Sequence, residues 1–274
     1  MSFIAGGARS RAPGVVRSVS LTFGASPPAW LVAAAEAGCR SLDELGAASS
    51  LEQCGGPIDA LRADPALLAE YGRWLLDYDM TGPYRFYRQT LQLLAHRRGE
   101  ARFLLKCPEH LWFVDSLLEV FPDARIVWTH RDPVASVASY CSLISLGQRM
   151  LYGRFDPLKL GQHIQSRFRE GVERAMQARQ RAEALGKGDQ FFDVDFTTLV
   201  RDPPAVVRQI KEWADMPHDK ASEARVQRWM NTERGDKKGA HKYSAEVYGL
   251  DGHAIHREYA DYIDRFDIPL KPLD

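Results

Sequence analysis

Two short segments of this 274-residue chain carry side chains whose types and spacing could bind an anion and move a proton. The first is Lys106-Cys107-Pro108-Glu109-His110, a cation followed by a carboxylate and an imidazole. A carboxylate or imidazole in a loop can take a proton from a nucleophile, and a nearby lysine can neutralise developing negative charge. The second is His130-Arg131-Asp132-Pro133, followed by Ser136 and Ser139. A guanidinium fork and a hydroxyl donor can together hold a phosphate. Serines three residues apart in a helix share a face. Each residue also has an ordinary explanation. An isolated Arg-Asp-Pro is most often a salt bridge and a helix start. A lone histidine is more often packed or on the surface than a base. Lys237-Lys238 alone reads as a solvated face, and Cys107, without a CxxC partner, as a buried filler.

The surrounding pattern shows what must position these groups. Arg102-Phe-Leu-Leu105 and Arg125-Ile-Val-Trp-Thr129 read as strands. Between them Val114, Leu117, Leu118 and Phe121 form a helical stripe that Pro122 closes. Two strands joined by such a helix predict a βαβ unit in a parallel sheet. Ligands of such sheets bind beyond the carboxyl ends of the strands, where both segments fall. Asp132-Pro133 reads as N-cap and first residue of a further helix carrying Val134, Val137 and Ala138.

More elements follow by the same rules. Ile164, Phe168, Val172 and Met176 predict an amphipathic helix over about 161–185. Residues 190–194 predict a strand, and Asp202-Pro203 a capped helix holding Val206, Ile210 and Trp213. One last helix carries Ile255, Tyr259, Tyr262, Ile263 and Phe266. Upstream, Asp64-Pro65 opens a helix with Leu67, Tyr71 and Trp74 in register. Gly82-Pro83 opens another with Tyr84, Tyr87, Leu91 and Leu94 on one face, stopped at Gly99. Residues 1–62 are rich in Gly, Ala, Ser and Pro, with a capping box at Ser41–Glu44 as their clearest signal. The expected fold is α/β, a parallel sheet flanked by helices with additional helices. Residues 63–274 form its α/β domain, and 1–62 a poorly defined N-terminal part of the same domain.

Composition removes several functions. Lys and Arg total 36, as do Asp and Glu, so the formal charge is zero and a nucleic-acid-coating role is not expected. The chain is 45% hydrophobic and 26% charged, which argues against wholesale disorder. Four cysteines without CxxC spacing suit a reducing, cytoplasmic compartment. The uncharged stretch from Ser18 to Ala35 is broken by Gly24, Pro27 and Pro28, so neither a membrane span nor a secretory signal is expected.

Taken together, Leu104–His110, Phe121–Val127 and His130–Ser139 resemble the PAPS-dependent sulfotransferases (PAPS is 3′-phosphoadenosine 5′-phosphosulfate). The likeness is to the broad bacterial sulfotransferase group and, more distantly, to the tyrosylprotein sulfotransferases. It runs from about residue 64 to 266. In that family a strand ending in Arg, with Ser eight residues on, binds the 3′-phosphate; here the pair is Arg131 and Ser139. Lys106-Cys107-Pro108 matches the family's Lys-x-Pro. Phe192–Pro203 resembles its second strand and following helix start, and Lys238–Ser244 with Tyr248–Leu250 its C-terminal cofactor-covering segment. The resemblance implies a P-loop-like architecture and sulfuryl transfer from PAPS to a hydroxyl or amine of a small-molecule or peptide acceptor. Lys106 would be the cation at the sulfuryl group and Glu109 or His110 the base. Lys238, Lys242 and Tyr243 would close over the nucleotide. No metal is implied. The sequence specifies neither the acceptor nor the oligomeric state.

One departure stands out. The family opens on a G-x-P-R-S-G-T-T loop that wraps the 5′-phosphosulfate with backbone N–H groups. Here Gly6–Ser10 resemble its start, but Arg11, Ala12 and Pro13 replace Gly-Thr-Thr. The loop therefore reads as degenerate or missing, with Arg9 and Ser10 as residual 5′-phosphate contacts. Phe3–Ala5 is expected as a strand edge and Val15–Leu21 as a poor helix. Two other classes stay open: a catalytically impaired nucleotide-binding remnant, and a phosphotransferase of nucleotide-kinase type. The latter calls for GxxxxGK[ST], which this sequence lacks.

Overall fold

The computed structural model describes residues 3–6, 18–21, 73–95, 103–152, 156–217, 219–232 and 244–273. The chain divides into two compact units, Met1–Val127 with Gln177–Phe191, and Trp128–Met176 with Phe192–Asp274.

In the first unit, β1 (Phe3–Gly6) pairs antiparallel with β2 (Ser18–Leu21), with Phe3 opposite Leu21 and Gly6 opposite Ser18. The expected strand at Phe3–Ala5 is present. Ser18–Leu21 is a strand instead of the poor helix expected there, and its Ser-Val-Ser-Leu alternation fits a pleat. The helix expected after Asp64-Pro65 is described only over 73–77. Trp74, which the spacing aligned with the buried stripe, is 52% exposed and rests on Tyr78, one turn on; Leu75 and Leu76 are buried instead.

Helix α1 (Thr81–Ala95) starts where Asp79 Oδ1 accepts the Thr81 N–H at 2.8 Å. It buries Tyr84 and Leu91. Both Tyr84 and Tyr87 meet the Phe121 ring edge-on, at 6.5 and 6.3 Å between centroids. Helix α2 (Val114–Val120) buries Val114, Leu117 and Leu118, the expected stripe. The Gln190 side chain closes the turn after α2 by donating to the carbonyls of Pro122 at 2.9 Å and Ala124 at 2.7 Å.

The second unit holds most of a separate, two-stranded parallel sheet. Strand β3 (Ile126–His130) is buried along its whole length and pairs in parallel with β4 (Phe191–Asp195). The crossover between them is made by α3 (Pro133–Tyr152) and α4 (Pro157–Ala184). The sequence pattern put the parallel partner of β3 at residues 102–105. The described part of that run, Phe103–Leu105, joins no ladder, and Leu104 is 62% exposed. A short apolar run has strand composition without having a strand to pair with, and only pairing makes it one. The protein is nonetheless the helix-rich α/β fold with a parallel sheet that the pattern implied.

Helix α5 (Phe196–Arg201) follows β4 directly, and α6 (Pro203–Trp213) begins at Asp202, whose carboxylate accepts the Ala205 N–H at 3.1 Å. Helix α7 (Lys220–Thr232) comes next. The single last helix expected is two, α8 (Gly252–Glu258) and α9 (Ala260–Phe266). The break falls at Tyr259, whose backbone leaves the helical region with φ −107° and ψ 15°. Ile255, Tyr259 and Tyr262 are buried on either side of it.

Candidate functional site

The turn from β3 into α3 is braced by side chains and backbone from β4, α8, α9 and the segment after α9. His130, the last residue of β3, is buried, and its Nε2 lies 2.8 Å from Asp193 Oδ1 on β4. Its Nδ1 lies 3.0 Å from the Tyr262 hydroxyl of α9. One assignment satisfies both partners. Tyr262 O–H donates to Nδ1, and Nε2–H donates to the carboxylate. Trp128 and Phe266 flank the imidazole, with Phe266 stacked at 4.0 Å and 17°.

Arg131 is half-buried at the exit of this strand, with its guanidinium 4.5 Å above the Phe196 ring at the start of α5. A guanidinium over an aromatic face keeps its N–H donors in the plane of the fork, directed outward. Asp132 is only 3% exposed and accepts three hydrogen bonds. Its Oδ1 takes the Val134 N–H at 2.8 Å and His256 Nε2 at 3.1 Å, and its Oδ2 takes the Lys271 N–H at 2.9 Å. The expected cap is therefore present, and the same carboxylate also ties down α8 and the segment after α9. Ser136 and Ser139 follow one and two turns into α3, both half-buried and on one face.

In the first unit, Lys106 precedes a short 3-10 turn, Pro108–Trp112. Cys107 is extended at φ −147° and ψ 134°, and Pro108 starts the turn at no cost in donors because it has no N–H. Partial burial lowers the Lys106 pKa below the ordinary lysine value. Cys107 is half-buried, less covered than the buried filler expected, and its thiol donates to Glu109 Oε2 at 2.7 Å. Burial and the adjacent Glu109 charge push that thiol well up. His110 is 5% exposed, bonded through Nδ1 to the Tyr84 hydroxyl and stacked on that ring at 5.3 Å. Burial lowers its pKa to about 3, so it is neutral across the working range. Glu109 stays half-buried beside it.

Arg9, Ser10, Lys238, Lys242 and Tyr243 lie outside the described residues. The segment that follows them is firmly seated. Tyr248 is buried, and its hydroxyl lies 3.2 Å from Ser145 Oγ on α3. Its carbonyl approaches Gly161 of α4 so closely that a Cβ there would sit 1.9 Å from the oxygen. Gly249 then turns with φ 64°, a conformation that suits glycine.

Sequence spacing marked Tyr84 and Tyr262 only as residues of helix stripes and gave Asp193, Phe196 and His256 no site role, because each touches a candidate residue only through the fold. Among the described residues no helix is long and apolar enough to cross a membrane.

The pattern of the sulfotransferase family matches residues 62–220. Two solved structures are similar in fold and sequence. Sulfotransferase STF9 from Mycobacterium avium superposes with a TM-score of 0.66 at 34% identity, covering 74% of this chain and 51% of that one. Sulfotransferase STF1 from Mycobacterium tuberculosis gives 0.57 at 32%, covering 70% and 48%. Comparison with curated protein sequences finds no match. The chain belongs to the sulfotransferase family. It spans about half the length of these two structures.

Proposed function

We propose that this protein moves a sulfuryl group from PAPS to a hydroxyl or amine of a small-molecule or peptide acceptor. The observation that carries the reading is the braced turn after β3. It presents a half-buried Arg131 with Ser136 and Ser139 beyond it on one helix face. That donor set suits a phosphate: a fork from the guanidinium and a hydroxyl hydrogen bond. In this reading Arg131 and Ser139 receive the 3′-phosphate. The acceptor oxygen or nitrogen attacks sulfur, the bond from sulfur to the bridging oxygen breaks, and 3′,5′-ADP leaves with the charge. Lys106 stabilises that charge. The acceptor's proton passes to Glu109, because a neutral His110 with a pKa near 3, engaged by Tyr84, has little affinity for it. Lys238, Lys242 and Tyr243 cover the nucleotide. The cysteine pattern fits a reducing cytoplasm.

A second reading, nucleotide binding with impaired transfer, is favoured by Arg11, Ala12 and Pro13 in place of Gly-Thr-Thr. Calorimetric titration with 3′,5′-ADP, followed by PAPS turnover on a panel of hydroxyl and amine acceptors, separates the two. Binding with turnover supports transfer. Binding with no turnover on any acceptor supports the remnant, and absence of binding overturns both.

A further inference from the structure

We infer that His256 is a positioning residue for the anion site: through Asp132, it fixes the turn that aims Arg131. The inference rests on the reading of Arg131 as the 3′-phosphate ligand, and it adds a residue far away in sequence.

The geometry is specific. Asp132 sits between Arg131 and the first residue of α3, so any rotation of its backbone swings the arginine. Its carboxylate is buried and bonded on both oxygens. One bond, from the Val134 N–H, is a local helix cap and would form in any Asp-Pro helix start. The other two are not local. His256 lies in the last turn of α8, a helix itself started by Asp251 accepting the Ala254 N–H at 3.0 Å. Lys271 contributes its backbone N–H from the segment after α9. A cap alone leaves the second oxygen and the outer side of the first without partners in a buried place, and the carboxylate would turn to find them. With both distant donors present, one rotamer has both carboxylate oxygens bonded. The direction in which Arg131 leaves β3 is then set before any ligand arrives. Preorganisation of this kind raises affinity for the group that Arg131 receives and leaves contacts elsewhere on the ligand alone.

That selectivity gives the test. Calorimetric affinities are measured for 3′,5′-ADP and for 5′-AMP, which lacks the 3′-phosphate, on the full chain and on Arg131→Ala, His256→Ala, His256→Gln and Lys271→Pro. Melting temperatures are measured in parallel. Arg131→Ala should remove most of the preference for 3′,5′-ADP. His256→Ala should weaken 3′,5′-ADP about 5- to 20-fold and 5′-AMP less than twofold. His256→Gln, which keeps an N–H donor, should recover to within about threefold of the parent. Lys271→Pro removes the other donor and should act in the same direction as His256→Ala, deciding the matter if His256→Ala does not fold. The inference is overturned if His256→Ala and Lys271→Pro leave the preference intact, or if they weaken both nucleotides equally in step with melting temperature. An intact preference in Arg131→Ala overturns instead the reading of Arg131 on which it rests.

Discussion

His130 on β3 and Asp193 on β4 are joined at 2.8 Å between Nε2 and Oδ1, and this bond ties the two parallel strands at the end where Arg131 emerges. Parallel strands are otherwise held by slanted backbone bonds alone. A buried side-chain bond at the exit fixes the last residue of β3, and with it the start of the turn. The ring contributes packing as well, since Phe266 lies parallel to it at 4.0 Å.

His130→Phe should therefore separate the two roles. The new ring keeps the stack with Phe266 but offers no nitrogen to Asp193 or Tyr262. The Tyr262 hydroxyl, buried in this core, loses its acceptor. An expected loss of about 1–3 kcal/mol follows from leaving such a group unsatisfied. Urea unfolding checks it. Adding Tyr262→Phe should recover part of the loss, because both ends of that bond are then apolar. A double variant less stable than His130→Phe would show that the relay is not the source.

Arg131→Ala should weaken 3′,5′-ADP by about 2–5 kcal/mol, the range for removing one partner of a desolvated charge pair. Ser139→Ala should cost about 1–2 kcal/mol, as for a hydrogen bond to a charged group. Phe196→Leu removes the face on which the guanidinium rests, 4.5 Å away, and should cost about 0.5–1 kcal/mol. Titration calorimetry reads all three. Equal affinities across the set, with the circular dichroism unchanged, would place the nucleotide elsewhere.

The part of this site that sequence made legible is the part built from neighbours. A β-branched and aromatic run gave β3 to within one residue, and Asp132-Pro133 gave the start of α3, because strand composition and N-capping act locally. Ser139 could be placed by helix periodicity from there. What holds Arg131 was illegible for the opposite reason. Tyr262 lies 132 residues from its partner His130, and His256 and Lys271 lie 124 and 139 residues from Asp132. No spacing rule reaches so far. The misplaced strand at 102–105 has the same origin, since composition shows that a run could pair and not which edge is available to it.

Lys106 and Glu109 should differ from His110 in kinetics. If Lys106 stabilises charge that develops only during transfer, Lys106→Ala lowers kcat far more than it raises KM. Glu109→Gln should lose rate by about 10²–10⁴, the usual contribution of a positioned base. His110→Gln should affect stability more than rate. Steady-state PAPS turnover, measured with folding checked for each variant, decides between them. A large rate loss in His110→Gln with Glu109→Gln near the parent would reverse the assignment.

The buried His110 should also make the fold sensitive to acid. Burial lowers its pKa from the ordinary histidine value of 6.5 to about 3, so the native protein keeps it neutral where the unfolded chain protonates it. Between those values the unfolded state binds more protons, and stability falls as pH falls. The contribution is intact above pH 6.5 and is lost progressively below it. At pH 5 the expected loss relative to pH 7 is about 2 kcal/mol. The control is the pair Tyr84→Phe with His110→Leu, which removes the titrating group and its hydroxyl partner together, so that no buried donor is left unpaired. Urea unfolding at pH 7 and pH 5 should show the parent losing about 2 kcal/mol more than the double variant. An equal loss in both proteins would mean that acid enters through other groups, and that His110 is not held neutral by its burial.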